Sequence, residues 1–472
     1  MAAIHSSPFC GTWFPAEQAG LRDLLDSLAQ QSRQRTGPFL AESPAAFVVP
    51  HAALVYSGAV ASAAYRCLRR RHPERVVLLG FSHARRHRGI AIPQLDAYRT
   101  PLGEVAIDTA LAGALDDSPM FHKKPEAPLC DHSLEVQLPL LQDAVPNAKL
   151  LPLYVGELND RERGAAAAQL AALIDERTVL IASSDFTHYG SAFHFVPFPC
   201  DDQVAGRLRD MDAQVAESAG SLDSSLFLRA LEESGSTTCG SAPIALLLET
   251  LRRINGEELF QETLDYQTSG EITGDFRHSV SYAALGYFPL RSFQLGPQDR
   301  RALLDSAGRT LATLTSTGRG RPEPPRGGTP SLQRKAGVFV TLYQRGELRG
   351  CIGNVISRRS LAETVPELAL SAATEDPRFP PVKRGESGFS LDISVLTPLK
   401  RIDSPLSVEA GVHGAVIEAH GRRGVLLPQV ASNRNWTRER FLEGLAAKCG
   451  LPASAIDEPS TRLSVFRAQV IQ

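Results

Sequence analysis

The sequence lacks a run of about twenty apolar residues, so we expect no transmembrane helix. Its first residues lack the basic and apolar stretches of a secretory signal, which predicts that the protein is not secreted. Its 7 cysteines include no C-x-x-C pair, a pattern that favours reduced thiols over a disulfide framework. The formal charge of −2 provides no bulk attraction to nucleic acid or to an anionic membrane. We therefore expect a cytoplasmic protein that binds neither.

The length and composition predict more than one globular domain. At 472 residues the chain exceeds what a single hydrophobic core ordinarily supports, and its apolar content of 43% and charged content of 22% are those of a globular protein. Residues 315–330 are too rich in Gly, Pro and Arg to pack a core, whereas residues 298–312 have the pattern of an amphipathic helix. We place the first domain at residues 1–290 and the second at 295–472, with the Gly/Pro-rich loop 315–330 in the N-terminal part of the second.

The first domain alternates apolar runs with amphipathic stretches. Residues 46–50, 75–80 and 179–184 are short and rich in Val, Ile and Leu, which predicts buried parallel strands. A helix is predicted over residues 58–71, with Ser57 as its N-cap. The pattern predicts an α/β domain with helices flanking a mixed or parallel sheet. The second domain has more strand-like segments beside a few helices, which predicts a smaller α+β domain.

Each of the three apolar runs is followed closely by a side chain that can bind a metal or move a proton. The first run is followed by His51, the second by His83, and the third by Asp185 and His188. A loop of small residues, 235–238, leads to Cys239. In an open α/β sheet, ligands bind in the crevice at the carboxyl ends of the strands. The spacing therefore predicts a convergent metal or general acid/base site.

The residue types at these positions allow several interpretations. Two imidazoles and one anionic ligand, as in His51, His83 and Cys239, leave open positions on a metal. Cys239 also precedes a predicted helix, whose dipole favours the thiolate, either as a metal ligand or as a nucleophile. A lone histidine is more often a hydrogen-bonded or surface residue, and a lone cysteine a small buried one. His132 and Glu135 share a helical face, and the options for Glu135 are to bind substrate, to orient a ligand histidine or to cap the helix.

Successive motifs of the first domain resemble those of the Memo family over roughly residues 5–288. They are Pro50-His-Ala-Ala-Leu-Val-Tyr-Ser-Gly58, Phe81-Ser-His83, Thr100-Pro-Leu-Gly103, Asp131-His-Ser-Leu-Glu-Val-Gln-Leu-Pro139, Ser183-Ser-Asp-Phe-Thr-His188 and Thr238-Cys-Gly240. The resemblance implies a fold like that of the class III extradiol dioxygenases and a metal site made of His51, His83 and Cys239. It also implies that the same pocket is lined by Asp185, His188 and His132. The chain departs from the family's common pattern at Ala53 and Thr187, neither of which is an implied ligand.

The second domain is similar to the AMMECR family over about residues 295–470. The motifs are Gly346-Glu-Leu-Arg-Gly-Cys-Ile-Gly353, Glu375-Asp-Pro-Arg-Phe-Pro-Pro-Val382, Ile393-Ser-Val-Leu-Thr397 and Gly411-Val-His-Gly-Ala-Val-Ile417. Gly350 and Gly353 allow close approach of a backbone to a ligand or partner, with Arg349 and Cys351 beside them. The alternative is that Cys351 is a core residue in a glycine-marked bulge. The joined modules resemble those of AmmeMemoRadiSam systems, which implies a radical-SAM protein as a partner.

The leading hypothesis is a metal-dependent oxidoreductase of dioxygenase-like type that acts on a small organic substrate. Fe(II) is expected at the three implied ligands, with Cu or Zn as alternatives because a thiolate softens the site. His188 would act as the acid or base, oriented or charge-tuned by Asp185, with His132 as a second such group. The side chains expected to bind substrate are Glu135, Tyr56, Arg349 and Cys351.

Two other functions stay open at this point. In a metal-free transferase or hydrolase, Cys239 would be the nucleophile and His51 or His188 its base. In a non-catalytic scaffold, the crevice would hold a ligand or peptide and perform no chemistry, because a fold alone does not define a function.

Overall fold

The computed structural model describes residues 3–37, 44–116, 118–124, 130–255 and 258–472. The chain divides into two compact units at the junction between Pro289 and Leu290. No helix among the described residues is both long and apolar enough to cross a membrane.

The first unit is built on a large mixed sheet. Its strands, with three that form a small separate sheet, are β1 Ile4–Ser6, β2 Ala46–Val49, β3 Arg75–Gly80, β4 Ile90–Pro93, β5 Ala97–Thr100, β6 Gly103–Ala106, β7 Phe121–Lys124, β8 Lys149–Val155, β9 Thr178–Ser183, β10 His188–Gly190, β11 Leu259–Thr268 and β12 His278–Pro289. Its helices are α1 Gln18–Arg35, α2 Leu54–Arg71, α3 Thr109–Gly113, α4 His132–Glu135, α5 Gln137–Ala144, α6 Asp160–Leu173, α7 Val204–Gly220, α8 Ser224–Ser234, α9 Ser241–Asn255 and α10 Ser269–Thr273.

Four parallel strands form the centre of the large sheet, in the order β2, β9, β3, β8. β12 pairs with β2, and β4 with β8, in antiparallel fashion, so the sheet is mixed. All residues of β2 and β9 are buried, as expected where helices cover both faces of a parallel sheet. Helix α2 contacts β2 and β12, and α9 contacts β9 and β3. The predicted α/β class with flanking helices is confirmed.

Helix α2 begins earlier than the sequence pattern predicted. It starts at Leu54, with Ala53 at the N-cap position, and Ser57 lies inside its first turn. The Ser57 hydroxyl donates to the carbonyl of Ala52 at 2.8 Å instead of capping the helix. The prediction of an N-cap at Ser57 is therefore wrong. A serine hydroxyl inside a helix commonly donates a hydrogen bond to a preceding carbonyl oxygen, as Ser57 does here. The completely buried Leu54 anchors the earlier start.

The second unit contains two four-stranded antiparallel sheets, in the orders β14-β13-β15-β20 and β16-β19-β17-β18. Its strands are β13 Val338–Gln344, β14 Glu347–Asn354, β15 Phe389–Leu396, β16 Lys400–Ile402, β17 Gly414–Ala419, β18 Arg422–Leu426, β19 Arg462–Phe466 and β20 Ala468–Ile471, and its helices are α11 Pro297–Thr317, α12 Leu361–Thr374, α13 Pro428–Ser432 and α14 Arg438–Lys448. Helices α11 and α12 pack on the first sheet and α14 on the second. This arrangement confirms the predicted α+β class.

The space beside both glycines of the Leu-Arg-Gly-Cys-Ile-Gly run is occupied by other residues of the same unit. A Cβ atom added at Gly350 would overlap the carbonyl oxygen of Ala372 in α12, and one at Gly353 would overlap the ring of Phe339. The close approach that these glycines allow is thus packing of β14 against its own helix and neighbouring strand. At these two positions, no space is left for the backbone of a ligand or partner.

We expect Gly350→Ala to destabilise the second unit by about 1–3 kcal/mol, because the added methyl group forces β14 away from α12. Gly308→Ala is the matched control, since Gly308 lies inside α11 with nothing within 4 Å of an added Cβ. That substitution is expected to be neutral or to stabilise by up to about 1 kcal/mol. Urea unfolding followed by circular dichroism compares the two, and equal midpoints would contradict the packing argument.

Candidate metal centre

Three chemically active side chains follow neighbouring strands at one edge of the large sheet. β9 lies between β2 and β3, and Val49 pairs with Ser183 at the ends of their strands. His51 follows β2, Asp185 follows β9 and His83 follows β3. The carboxyl ends of parallel strands meet at one edge, so these residues are brought together although they are far apart in sequence.

His51 is held by the end of β9. It is buried, with 1% of its surface exposed, and its Nδ1 lies 3.1 Å from the hydroxyl of Ser183. The Ser183 hydroxyl also accepts from Gln137 Nε2 at 3.0 Å, which fixes its position. These contacts leave Nε2 of His51 directed at Cys239, 3.3 Å from its sulfur.

His83 is held by a single carboxylate. The backbone N–H of His83 donates to Asp131 Oδ2, and its Nδ1 lies beside Asp131 Oδ1, both at 2.8 Å. Asp131 is also the N-cap of α4, accepting from the backbone N–H of Ser133 at 2.9 Å. A carboxylate on one imidazole nitrogen orients the other toward a metal in many metal sites. The arrangement leaves Nε2 of His83 available as a ligand.

Cys239 completes the cluster. Its thiol lies 3.5 Å from the carbonyl oxygen of Asp185, and ligand atoms of His51, His83 and Cys239 all lie within 4.8 Å of one another. With metal–sulfur and metal–nitrogen bonds of about 2.3 and 2.0 Å, two ligands at a tetrahedral angle stand about 3.5 Å apart. The separation of 3.3 Å between His51 Nε2 and Cys239 Sγ is close to that value. The three donors therefore fit one metal ion.

His132 forms part of the same group of rings. It stacks on His83, with the ring centroids 4.0 Å apart, and on Trp13 from the other direction, with centroids 4.2 Å apart. Its ring also meets that of His51 edge-on at 5.5 Å. Burial, helped by the charge of His83, lowers the pKa of His132 to about 3, which keeps this imidazole neutral.

His188 is oriented by backbone groups. Its Nδ1 lies 3.0 Å from the carbonyl oxygen of Phe186 and 3.1 Å from that of Thr237. Because both neighbours are acceptors, Nδ1 carries the proton and Nε2 of the neutral ring is the free acceptor. These backbone groups, and not Asp185, orient the His188 ring, and Asp185 Oδ1 accepts from the backbone N–H of His51 at 2.8 Å. The alternative role of Asp185, tuning His188 through its charge, stays a prediction. Burial raises the pKa of Asp185 to about 6.

Burial keeps two of the three donors, His51 and Cys239, uncharged in the metal-free protein. It lowers the pKa of His51 to about 3, with the charge of His83 acting in the same direction. It also raises the pKa of the Cys239 thiol, and the neighbouring Asp185 carboxylate adds to this effect. The expected bias of Cys239 toward thiolate is therefore wrong for the metal-free protein. Helix α9 starts at Ser241, and desolvation outweighs its dipole.

The four residues expected to bind substrate lie in different settings. Tyr56 is on the first turn of α2 and is 41% exposed. Glu135 is completely buried and contacts His5 at 3.1 Å. In the described part of the chain, neither side chain hydrogen-bonds to the three clustered donors, so their role in binding substrate stays a prediction.

Arg349 and Cys351 lie in the second unit, on β14. The Arg349 side chain is 12% exposed and lies 3.7 Å from a carboxylate oxygen of Glu386. The Cys351 sulfur accepts from the hydroxyl of Thr341 at 3.3 Å, and its backbone N–H donates to Asp376 at 2.8 Å. A separate cleft in this unit, with a volume of about 450 Å³, is lined by other side chains, among them Gln294, Thr397, Gln429 and Arg467.

Several partners of the clustered donors were missed by the sequence argument. Ser183 and Asp131 lay within motifs that were singled out, since Ser183 belongs to the third apolar run and Asp131 directly precedes His132. Thr237, whose hydroxyl accepts from the backbone N–H of His188 at 2.7 Å, lies in the loop 235–238, which was singled out only because it leads to Cys239. Trp13, which stacks on His132, gave no local signal.

The protein consists of an α/β unit and an α+β unit. The α/β unit carries two histidines and a cysteine at the carboxyl edge of its sheet, which places the chain among two-domain proteins with a candidate metal centre in the first domain. The profile of the Memo-like protein family matches residues 6–286, and that of the AMMECR1 family matches residues 305–471. The chain belongs to the Memo family and carries an AMMECR1 domain after the Memo part. Both resemblances predicted from the motifs are thus confirmed.

The chain is also similar to individual known proteins. The chain is similar to a MEMO1 family protein of Methanopyrus kandleri, with 31% identity over 299 residues that cover 60% of this chain and 98% of the relative. It is also similar to a protein of Methanothermobacter thermautotrophicus, with 43% identity over 146 residues that cover 29% of this chain and 76% of the relative. An uncharacterised protein of Pyrococcus horikoshii with a crystal structure matches at 34% identity, covers 37% of this chain and 91% of its own, and has a TM-score of 0.35.

We expect Cys239 to react slowly with iodoacetamide at pH 7–8 in metal-free protein, because its raised pKa leaves little thiolate. Its alkylation should accelerate as the pH rises above the range of an ordinary thiol. The exposed Cys200 serves as an internal reference in the same mass-spectrometric experiment. Alkylation of Cys239 at neutral pH as fast as that of Cys200 would contradict the burial argument.

Proposed function

We propose that this Memo-family chain is a metal-dependent oxidoreductase of dioxygenase-like type, with Fe(II) held by His51, His83 and Cys239. The observation that carries the proposal is the convergence of three donors within 4.8 Å, with Nδ1 of each imidazole already engaged. Fe(II) with three protein ligands supplies open positions at which O₂ and a substrate can bind. Cu and Zn are the alternatives, since both accept imidazole and thiolate ligands.

The remaining side chains of the site have proton-transfer and positioning roles. The free Nε2 of His188 accepts a proton from a small organic substrate, while Phe186 and Thr237 hold the opposite nitrogen. His132 is a second candidate for such a role, held as a neutral ring between His83 and Trp13. General acid/base assistance of this kind contributes about 10²–10⁴-fold to a rate.

The domain composition bears on the partner of this protein. The fusion of a Memo part to an AMMECR1 domain supports action of both in one process, with a radical-SAM protein as the proposed partner.

The alternative in which Cys239 is a metal-free nucleophile is disfavoured, because burial raises the pKa of Cys239 and its neighbour His51 is a poor base. A metal cation would reverse this penalty by stabilising the thiolate.

We expect protein purified anaerobically without a tag to carry near-stoichiometric metal at this centre, with iron as the main element, and the His51→Ala/Cys239→Ala variant to carry almost no iron. Removal of two of the three ligands leaves too few donors at this centre to retain the ion through purification. Metal content is measured by mass spectrometry. The control is Cys200→Ala, which removes an exposed thiol and should leave the content unchanged. A wild-type protein that is metal-free and takes up no added Fe(II) would refute the proposal.

Asp131→Asn is expected to weaken metal affinity about 10–100-fold, because Asn has no negative charge and offers one acceptor oxygen where Asp131 accepts with two. Asn retains the ability to cap α4, so the fold should be preserved. Asp108→Asn is the matched control, since Asp108 is another buried N-cap carboxylate and accepts from Leu111 N–H outside the site. Competition titration with a metal indicator measures both affinities. Equal affinity in the two variants would show that the Asp131 charge plays no part.

A further inference from the structure

A second cluster of metal-binding side chains lies in the first unit and shares no residue with the first. It consists of His5, Cys130 and Glu135, whose ligand atoms all lie within 4.8 Å of one another. The set combines an imidazole nitrogen, a thiol sulfur and a carboxylate oxygen. Zn(II) binds each of these three donor types in proteins.

The three residues are placed by different elements. His5 lies on β1, where it pairs with Tyr98 of the parallel strand β5, and the two rings meet edge-on at 5.6 Å. Cys130 directly precedes Asp131, the N-cap of α4, and Glu135 is the last residue of that helix. The pairing of β1 with β5 therefore fixes the position of His5, and the N-cap of α4 fixes those of Cys130 and Glu135.

Glu135 is the most informative member. Its surface exposure is 0%, its Oε1 lies 3.1 Å from His5 Nε2, and its Oε2 has no hydrogen-bond partner among the described residues. A buried carboxylate oxygen without a partner carries a large desolvation penalty. A cation bound between Glu135, His5 and Cys130 would remove that penalty.

The geometry suits a small tetrahedral ion. With bonds of about 2.0–2.2 Å to nitrogen and oxygen, two ligands at a tetrahedral angle stand about 3.3–3.6 Å apart, close to the separation seen here. The separation between His5 Nε2 and Glu135 Oε1 is 3.1 Å. Two buried tyrosines, Tyr98 and Tyr154, lie beside the cluster, and burial raises the pKa of both hydroxyls, so that they remain neutral neighbours.

We infer that His5, Cys130 and Glu135 form a second metal site for a divalent ion of the Zn(II) type. Three protein ligands leave one tetrahedral position for a water molecule or another exogenous ligand. The inference does not rest on the function proposed for the His51, His83 and Cys239 centre, since the two sites use different donors.

The test uses Co(II) as a probe in the full chain carrying His51→Ala and Cys239→Ala, which removes the first centre. We expect about one equivalent of Co(II) to bind with a thiolate-to-cobalt absorption band in the near ultraviolet. Adding Cys130→Ser should abolish that band, and adding Glu135→Gln should weaken affinity at least about 100-fold, since even an indirect partner of a ligand contributes 10–100-fold. Cys200→Ser in the same background is the control and should retain the band.

Two results would overturn the inference: absence of a thiolate band in the His51→Ala/Cys239→Ala chain, or a band that survives Cys130→Ser. Glu135→Gln keeps the size of the side chain and removes its buried charge, so it remains informative if Cys130→Ser folds poorly. Circular dichroism of each variant establishes that it is folded. Failure of this site leaves the metal content of the first centre untouched, and the reverse also holds, so the two hypotheses fail separately.

Discussion

The carboxylate of Asp131 is the contact on which the candidate centre depends most. It binds the backbone N–H and Nδ1 of His83 at 2.8 Å and caps α4 by accepting from Ser133. The same cap places His132 against His83 and fixes the segment that carries Cys130 and Glu135. One buried side chain therefore aligns a proposed ligand of the first centre and two proposed ligands of the second. Because the carboxylate is charged, these hydrogen bonds are stronger than bonds to a neutral acceptor would be.

The sequence predicted the edge of the sheet at which the site lies, for a simple physical reason. Buried parallel strands are short apolar runs, and the residues after them must gather at one edge, so His51, His83 and Asp185 could be grouped without knowing the strand order. The insertion of β9 between β2 and β3 could not be derived, because strand order is set by long-range pairing. The stacking of Trp13 on His132 was likewise out of reach, since it joins segments about a hundred residues apart through shape alone.

In the second unit, the sequence predicted that another group approaches the glycines closely, but not which group. Gly350 and Gly353 predicted close approach of the backbone to a ligand or partner, whereas the groups that approach them are Ala372 and Phe339 of the same unit. A missing Cβ reports that space is needed and carries no information on what fills it. The cleft lined by Gln429 and Arg467 had no comparable signal, because its wall comes from segments that meet only in the folded unit.

Burial decides how the proposed metal chemistry and the thiol chemistry compete at Cys239. Desolvation raises the pKa of its thiol and lowers that of His51, so the metal-free pair is neutral and neither member is a strong nucleophile or base. A bound cation inverts this balance, because the thiolate then gains a charge partner and His51 is already in the neutral form that a metal requires. Binding must displace the proton of Cys239, so affinity at this centre should rise with pH over the neutral range. The same buried environment that weakens the cysteine as a free nucleophile thus favours it as a ligand.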